Sequence, residues 1–199
     1  MSETHRLWDK RFANWLMRPL AALPVSPNAI TALGLIFGVS AAWQFAVGRP
    51  GWGGGLFILA ALMDHADGEL ARMSGKTSRF GHNFDRISSA INYTAVFLGL
   101  GAGLDASGDG YWDFGLGGAG MGLLAGVSVA AIFGMRNFGE SKVGESFTKQ
   151  VQWGGFEHED IMYLIAPLAW LGWHGWFVML VCAGAPAYLA MTIFRFWKR

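Results

Sequence analysis

Charge is scarce in this chain. Only 15% of its 199 residues are Asp, Glu, Lys or Arg, while 53% are hydrophobic. An ordinary soluble domain carries about a quarter charged residues, so a soluble globular fold is a poor fit. The apolar residues gather in long runs, the pattern that a bilayer requires. Cysteine is nearly absent: the one thiol, Cys182, excludes a disulfide within the chain. It lies in an apolar run, where a buried structural role is expected. No internal repeat or low-complexity tract is present, and one domain over residues 1–199 suffices. No secretory leader is evident, because the first apolar run opens only near Asn28, after a mixed segment that holds Asp9, Lys10, Arg11 and Arg18. The net charge of +1 excludes little by itself and gives no reason to expect a nucleic-acid partner.

Hydrophobic runs are present at about 28–47, 52–63, 84–104, 116–135, 161–173 and 175–197. A helix needs about 20 residues to cross the hydrocarbon core. The second run is too short alone, so its helix is expected to continue through a charged stretch to Met73; the fifth is expected to begin near Glu157. Ser26 and Pro27 suit the first span, since Ser is a good N-cap and Pro is tolerated at the first helical position. Of the 15 basic residues, 14 fall on one side of a six-span layout and only Arg49 on the other. The positive-inside rule then places both termini in the cytoplasm. Residues 4–23 mix Trp8, Phe12, Trp15 and Leu16 with Lys10, Arg11 and Arg18, which predicts an amphipathic helix on the cytoplasmic membrane surface. The expected fold is therefore an all-α integral membrane protein: a six-helix bundle over 26–197, preceded by that surface helix.

The chemistry concentrates between Asp64 and Ser89. Asp64 and Asp67 enter a membrane helix three residues apart, on one helical face. A charged side chain near mid-bilayer costs about 2.5–3.5 kcal/mol on insertion scales, so such groups usually face a cavity or bind something. Asp85 arrives near the start of the next span, on the same side of the membrane. Three converging carboxylates make a hard-oxygen site suited to Mg²⁺ or Mn²⁺. Gly68 and Ala71 continue the face of Asp64 and leave room for a ligand, and Gly81 is placed to do the same on the next helix. Arg72, Lys76 and Arg79 supply positive charge at the mouth, as a pyrophosphate would need.

The run Asp64-x-x-Asp67-Gly68-x-x-Ala71-Arg72, eight residues, Gly81-x-x-x-Asp85 resembles the signature of the CDP-alcohol phosphatidyltransferases. The Pro27-Asn28-Ala-Ile-Thr31 entry to the first span and the six-helix layout resemble that family too. The resemblance implies a phospholipid-synthesis enzyme of a bacterial inner membrane or an equivalent membrane, with its site on the cytoplasmic side. It implies transfer of a phosphatidyl or phospho-alcohol group from a CDP-linked lipid or CDP-alcohol to an alcohol acceptor, with release of CMP. Asp64, Asp67 and Asp85 would hold one or two divalent ions, Gly68, Ala71 and Gly81 would admit the nucleotide with Arg72 nearby, and a homodimer is implied.

The signature's last aspartate is missing: Ser89 stands at its position. In the family that residue belongs to the metal-binding set and is the usual candidate for general base. A serine hydroxyl is not ionised near neutral pH without help and cannot replace a carboxylate base. It also lacks the negative charge that helps to hold a metal pair. The change is open to three explanations: an engineered substitution, an inactive member that binds CDP-lipid without turnover, or a base supplied instead by a carboxylate from elsewhere or by metal-bound water. Glu157, Glu159 and Asp160 at the start of the fifth span are candidates for the last, although acidic residues at a helix N-terminus need no further reason.

His65 and His82 lie inside the signature region without belonging to it, and packing is the expectation for His65. Gly118, Gly122 and Gly126, like Gly99 and Gly103, recur at four-residue spacing. Such stripes permit close helix contact, within one chain or across a dimer. Trp8, Trp15, Trp112, Trp153, Trp173, Trp176 and Trp197 lie mostly near predicted span ends, as in an aromatic belt.

Overall fold

The computed structural model describes residues 25–108, 114–143 and 160–197. Within them the chain forms α1 (Pro27–Ala46), α2 (Pro50–Ser74), α3 (Arg79–Ser107), α4 (Gly117–Val143), α5 (Asp160–Tyr163), α6 (Ile165–Trp170) and α7 (His174–Trp197). No strand occurs among the described residues. The expected surface helix at 4–23 and the acidic run at Glu157 and Glu159 lie outside them.

Local chemistry explains the boundaries. The Ser26 side chain accepts a hydrogen bond from the Ala29 backbone N–H at 3.2 Å, and Pro27 opens α1. α2 continues through its charged stretch, as expected, and stops at Gly75, whose φ of 65° is the left-handed conformation that glycine adopts without a steric penalty. Ser78 then caps α3 by accepting from the Gly81 N–H at 2.9 Å. α4 is capped from a distance: Asp105, near the end of α3, accepts from the Gly118 and Ala119 N–H groups at 2.6 and 2.8 Å. A carboxylate there satisfies donors that the first helical turn leaves without intrahelical partners.

Among the described residues, four helices are long and apolar enough to cross a membrane: Pro27–Ala46, Arg79–Ser107, Gly117–Met135 and His174–Phe194. At 25 residues α2 has the length, about 37 Å at 1.5 Å per residue, but Asp64, Asp67, Glu69 and Arg72 lower its hydropathy. The region expected to form the fifth span contains two short helices, α5 and α6, of 4 and 6 residues.

The helices pack through small residues and aromatics. α1 contacts α2 and α3; α3 also contacts α4, which contacts α7, and α6 lies on α2. The glycine stripes serve this packing within one chain. Added methyl groups at Gly99 and Gly103 would strike the Ala42 and Phe45 carbonyls of α1, and one at Gly122 the Phe97 carbonyl of α3. A methyl at Gly126 would lie 2.8 Å from Thr94 Cα. Phe97, wholly buried on α3, stacks on Phe177 of α7 with ring centroids 5.9 Å apart. Cys182 is buried in the same core. Apolar side chains such as Ile36, Trp43, Leu180 and Trp197 are exposed on the outside, as a lipid-facing surface requires. Trp173 and Trp176, beside the start of α7, are exposed as well. A second, smaller cluster of Ile30, Ala66 and Leu70 joins α1 to α2 at the level of the charged stretch.

Candidate functional site

The site is built on the last three turns of α2 and the first three of α3, which the four residues Gly75–Ser78 connect. Helix geometry puts Asp64 ten residues, about 15 Å, inside the C-terminal end of α2. The two aspartates of α2 then diverge toward different neighbours. Ser89 of α3 donates its hydroxyl to Asp64 Oδ1 at 2.6 Å. Asp67, only 4% exposed, accepts at Oδ2 from the buried Thr31 hydroxyl of α1. Asp85, partly buried on α3, lies close enough to interact electrostatically with both Asp64 and Asp67, and with His82 and Arg86 on its own helix.

The donor set fits a hard divalent cation. Three carboxylates from adjacent helices stand within electrostatic reach of one another, and among the described residues none is in an ion pair with a lysine or arginine. Grouped carboxylates without a cationic partner have the chemistry that a compensating cation satisfies. Among the described residues no three His, Cys, Asp or Glu side chains are gathered into a ligand shell, so the carboxylates are neighbours and not an assembled cage.

The small and basic residues divide by position. Gly68 is open except on the side of Arg72, whose guanidinium nitrogens lie 3.6 and 3.8 Å from where a methyl group would be. Arg72 is held there by Glu69, with Nε and Nη2 donating to Oε2 at 3.0 and 2.6 Å. Gly81 faces no open space: a methyl group would lie 2.9 Å from Asn28 Oδ1, so this glycine lets α3 approach the start of α1. Ala71 is partly buried, and Lys76 and Arg79 are exposed around the α2–α3 turn.

Three features escaped sequence reasoning. Thr31 reaches Asp67 across 36 residues of chain. His65 is exposed and ties α2 to α5: its Nδ1 lies 3.1 Å from the Ala61 carbonyl and its Nε2 3.0 Å from the Tyr163 hydroxyl. A ring that donates from Nδ1 to Ala61 accepts the Tyr163 proton at Nε2. Finally, Asp85, Ser88, Ser89 and Asn92 form a polar stripe along α3. Ser88 Oγ and Asn92 Oδ1 have no hydrogen-bond partner among the described residues, although Ser88 is 3% exposed. Only the helical spacing of these polar residues could have signalled that stripe.

Residues 24–147 match the family model described as CDP-alcohol phosphatidyltransferase, which takes in α1 to α4 and the whole candidate site. The chain belongs to the CDP-alcohol phosphatidyltransferase family. Within it, the chain is 29% identical over 86 residues to an archaetidylinositol phosphate synthase of Pyrococcus horikoshii, a match covering 43% of this chain and 46% of that protein. It is 34% identical over 91 residues to a phosphatidylinositol phosphate synthase of Mycobacteroides abscessus, covering 45% and 41%. A bifunctional IPC transferase and DIPP synthase of Rubrobacter xylanophilus is 35% identical over 88 residues, covering 42% and 20%. The chain thus spans less than half the length of these relatives. The fold is similar to that of Mycobacterium tuberculosis phosphatidylinositol phosphate synthase with CDP-DAG bound, with a TM-score of 0.71 over 94% of each chain at 22% identity. The same enzyme in complex with manganese and citrate gives 0.64 over 92% and 88%, at 21% identity.

Proposed function

We propose that this family member is a phospholipid-synthesis transferase. It takes a CDP-linked lipid, moves the phosphatidyl group to an alcohol and releases CMP. The observation that carries this reading is the complete Asp64-to-Asp85 signature on two adjacent helices inside a family match of 124 residues. The named activities of the relatives and the CDP-DAG bound to a structural neighbour support it. All three relatives are named for inositol-containing or IPC and DIPP products, and the exposed Lys76, Arg79 and His82 are suited to an anionic acceptor. An inositol phosphate is therefore the first acceptor to test.

Asp64, Asp67 and Asp85 would hold Mg²⁺ or Mn²⁺; a neighbour was crystallised with manganese. When bound, such an ion neutralises diphosphate charge and stabilises the departing CMP. The chain's own residues do the positioning. Thr31 and Ser89 hold the α2 carboxylates, Gly68 and Ala71 leave one face of α2 low enough for the nucleotide, and Arg72 stands beside that face. We further propose a single domain over residues 1–199 with six spans, both termini and the site cytoplasmic, a surface helix at 4–23 and a homodimer in a bacterial inner membrane. The protein in lipid nanodiscs, given CDP-diacylglycerol, Mg²⁺ or Mn²⁺ and a panel of alcohols, should form CMP fastest with inositol phosphate. CMP formation equal with and without any alcohol would contradict the transferase reading.

A further inference from the structure

His65 lies within the signature run without belonging to it, and the fold gives it a partner from the far part of the chain. The Tyr163 hydroxyl of α5 meets the edge of its ring, 3.0 Å from Nε2 and 3.2 Å from Nδ1, with ring centroids 5.9 Å apart. Nδ1 also lies 3.1 Å from the Ala61 carbonyl, one turn back on α2. A ring that uses Nδ1 on Ala61 and Nε2 on Tyr163 is fixed in orientation, and it fixes the Tyr163 side chain in turn. α5 needs such a tie: a helix of 4 residues is too short to be stable by itself, and it packs on α6. α6 in turn lies on α2, where a methyl group at Gly54 would be 3.3 Å from Ala166 Cα and Trp170 Nε1 donates to the Gly51 carbonyl at 3.0 Å. The α5–α6 segment is thus fastened to α2 near its start by Trp170 and beside the charged stretch by Tyr163.

The place of His65 on α2 makes this tie part of the site's wall. At 3.6 residues per turn, His65 lies about 60° round the helix from Gly68 and about 4.5 Å along it. Asp67 lies about 160° from His65 and is covered by Thr31 of α1. The open surface at Gly68 is therefore flanked by α1 on one side and by the His65–Tyr163 pair on the other.

We propose that His65 and Tyr163 are positioning residues for the CDP-linked lipid: their bond holds α5 as the second wall of the Gly68 face and so sets how tightly that substrate is held. The inference rests on the proposed use of the Gly68 face by the CDP-linked lipid. A wall that is loose in the free protein must be ordered when the substrate binds, which lowers affinity. The pair takes no part in the chemical step, so its loss is read in KM and not in kcat.

The test measures the Kd of dioctanoyl CDP-diacylglycerol for the protein in nanodiscs with Mn²⁺, by calorimetry, and the kinetics of CMP release with inositol phosphate on the same preparations. His65→Ala and Tyr163→Phe should each weaken binding about 3- to 10-fold and raise KM for the CDP-lipid alike. In both, kcat and KM for inositol phosphate should stay within about twofold of native. The double variant should bind no more weakly than either single one, since both remove the same bond. His65→Gln, whose amide oxygen can accept the Tyr163 proton, should restore most of the native affinity. Trp170→Phe, which frees the other end of the same segment, should leave affinity unchanged. Native affinity in Tyr163→Phe, which keeps the ring and loses only the hydroxyl, overturns the inference whether or not His65→Ala folds. Losses that add in the double variant, or an equal loss in Trp170→Phe, also overturn it. A native protein that binds the CDP-lipid without releasing CMP, and loses affinity in Tyr163→Phe, sinks the transferase reading and leaves the inference standing. Turnover with unchanged affinity in every variant does the reverse, and no binding by the native protein sinks both.

Discussion

Replacing Thr31 by valine should weaken the protein through one interaction that can be isolated. Valine has nearly the shape of threonine, so no cavity opens in a side chain that is only 6% exposed. What is lost is the hydroxyl donor to Asp67 Oδ2, leaving a carboxylate in a residue 4% exposed without that partner. The Thr31 hydroxyl also lies 3.2 Å from the Pro27 carbonyl, but it has a single proton, and the carboxylate is the stronger acceptor. A hydrogen bond to a charged group contributes about 1.5–3 kcal/mol, and the loss should fall in that range. A double-mutant cycle separates this bond from incidental effects: Thr31→Val, Asp67→Asn and the pair, each unfolded reversibly in mixed micelles without divalent ions. We expect a coupling energy above about 1 kcal/mol, with Thr31→Ser retaining most of the native stability. Coupling within about 0.5 kcal/mol of zero would refute the argument that Thr31 holds Asp67.

Two further perturbations probe the scaffold that positions the site. Gly122→Ala should destabilise by about 1–3 kcal/mol, because its methyl group meets the Phe97 backbone carbonyl and α4 must move away from α3. Gly134→Ala on the same helix meets nothing within 4 Å and should be neutral or slightly stabilising, since alanine favours the helix; thermal unfolding in detergent checks both. Asp105→Ala removes both capping bonds to α4 and should cost about 1–2 kcal/mol by the same measurement, with little change in substrate affinity because Asp105 lies at the far end of α3 from Asp85.

How much of this was legible beforehand depends on the range of each interaction. The four apolar spans, the Ser26 cap and the continuation of α2 through its charges are local, set by hydrophobic length and by side chains that bond within one turn. The candidate site was legible for a similar reason: Asp64, Asp67 and Asp85 lie on two consecutive helices joined by four residues, so linear spacing nearly determines their arrangement. Partners brought in from elsewhere were not legible. Nothing around Thr31 announces Asp67, and nothing around Gly118 announces the Asp105 carboxylate, because a hydroxyl or carboxylate at 13 or 36 residues' separation leaves no periodic signal. The glycine stripes were ambiguous between intrachain and dimer contact until α1, α3 and α4 were seen to meet across them. Gly81 carried a different lesson: small size near a site reads as room for ligand, whereas here Asn28 occupies the space.

The central claim is that the Asp64–Asp67–Asp85 group drives release of CMP despite serine at position 89. The most direct test compares the native protein with Asp85→Asn in nanodiscs containing CDP-diacylglycerol, Mn²⁺ and inositol phosphate, with CMP and lipid product resolved by chromatography. The account predicts CMP and a new phospholipid in equal amounts from the native protein, and at least a hundredfold less from Asp85→Asn, on the order of the loss of a charged transition-state contact. Equal rates from the two proteins, or no CMP from the native one with any acceptor, would contradict it.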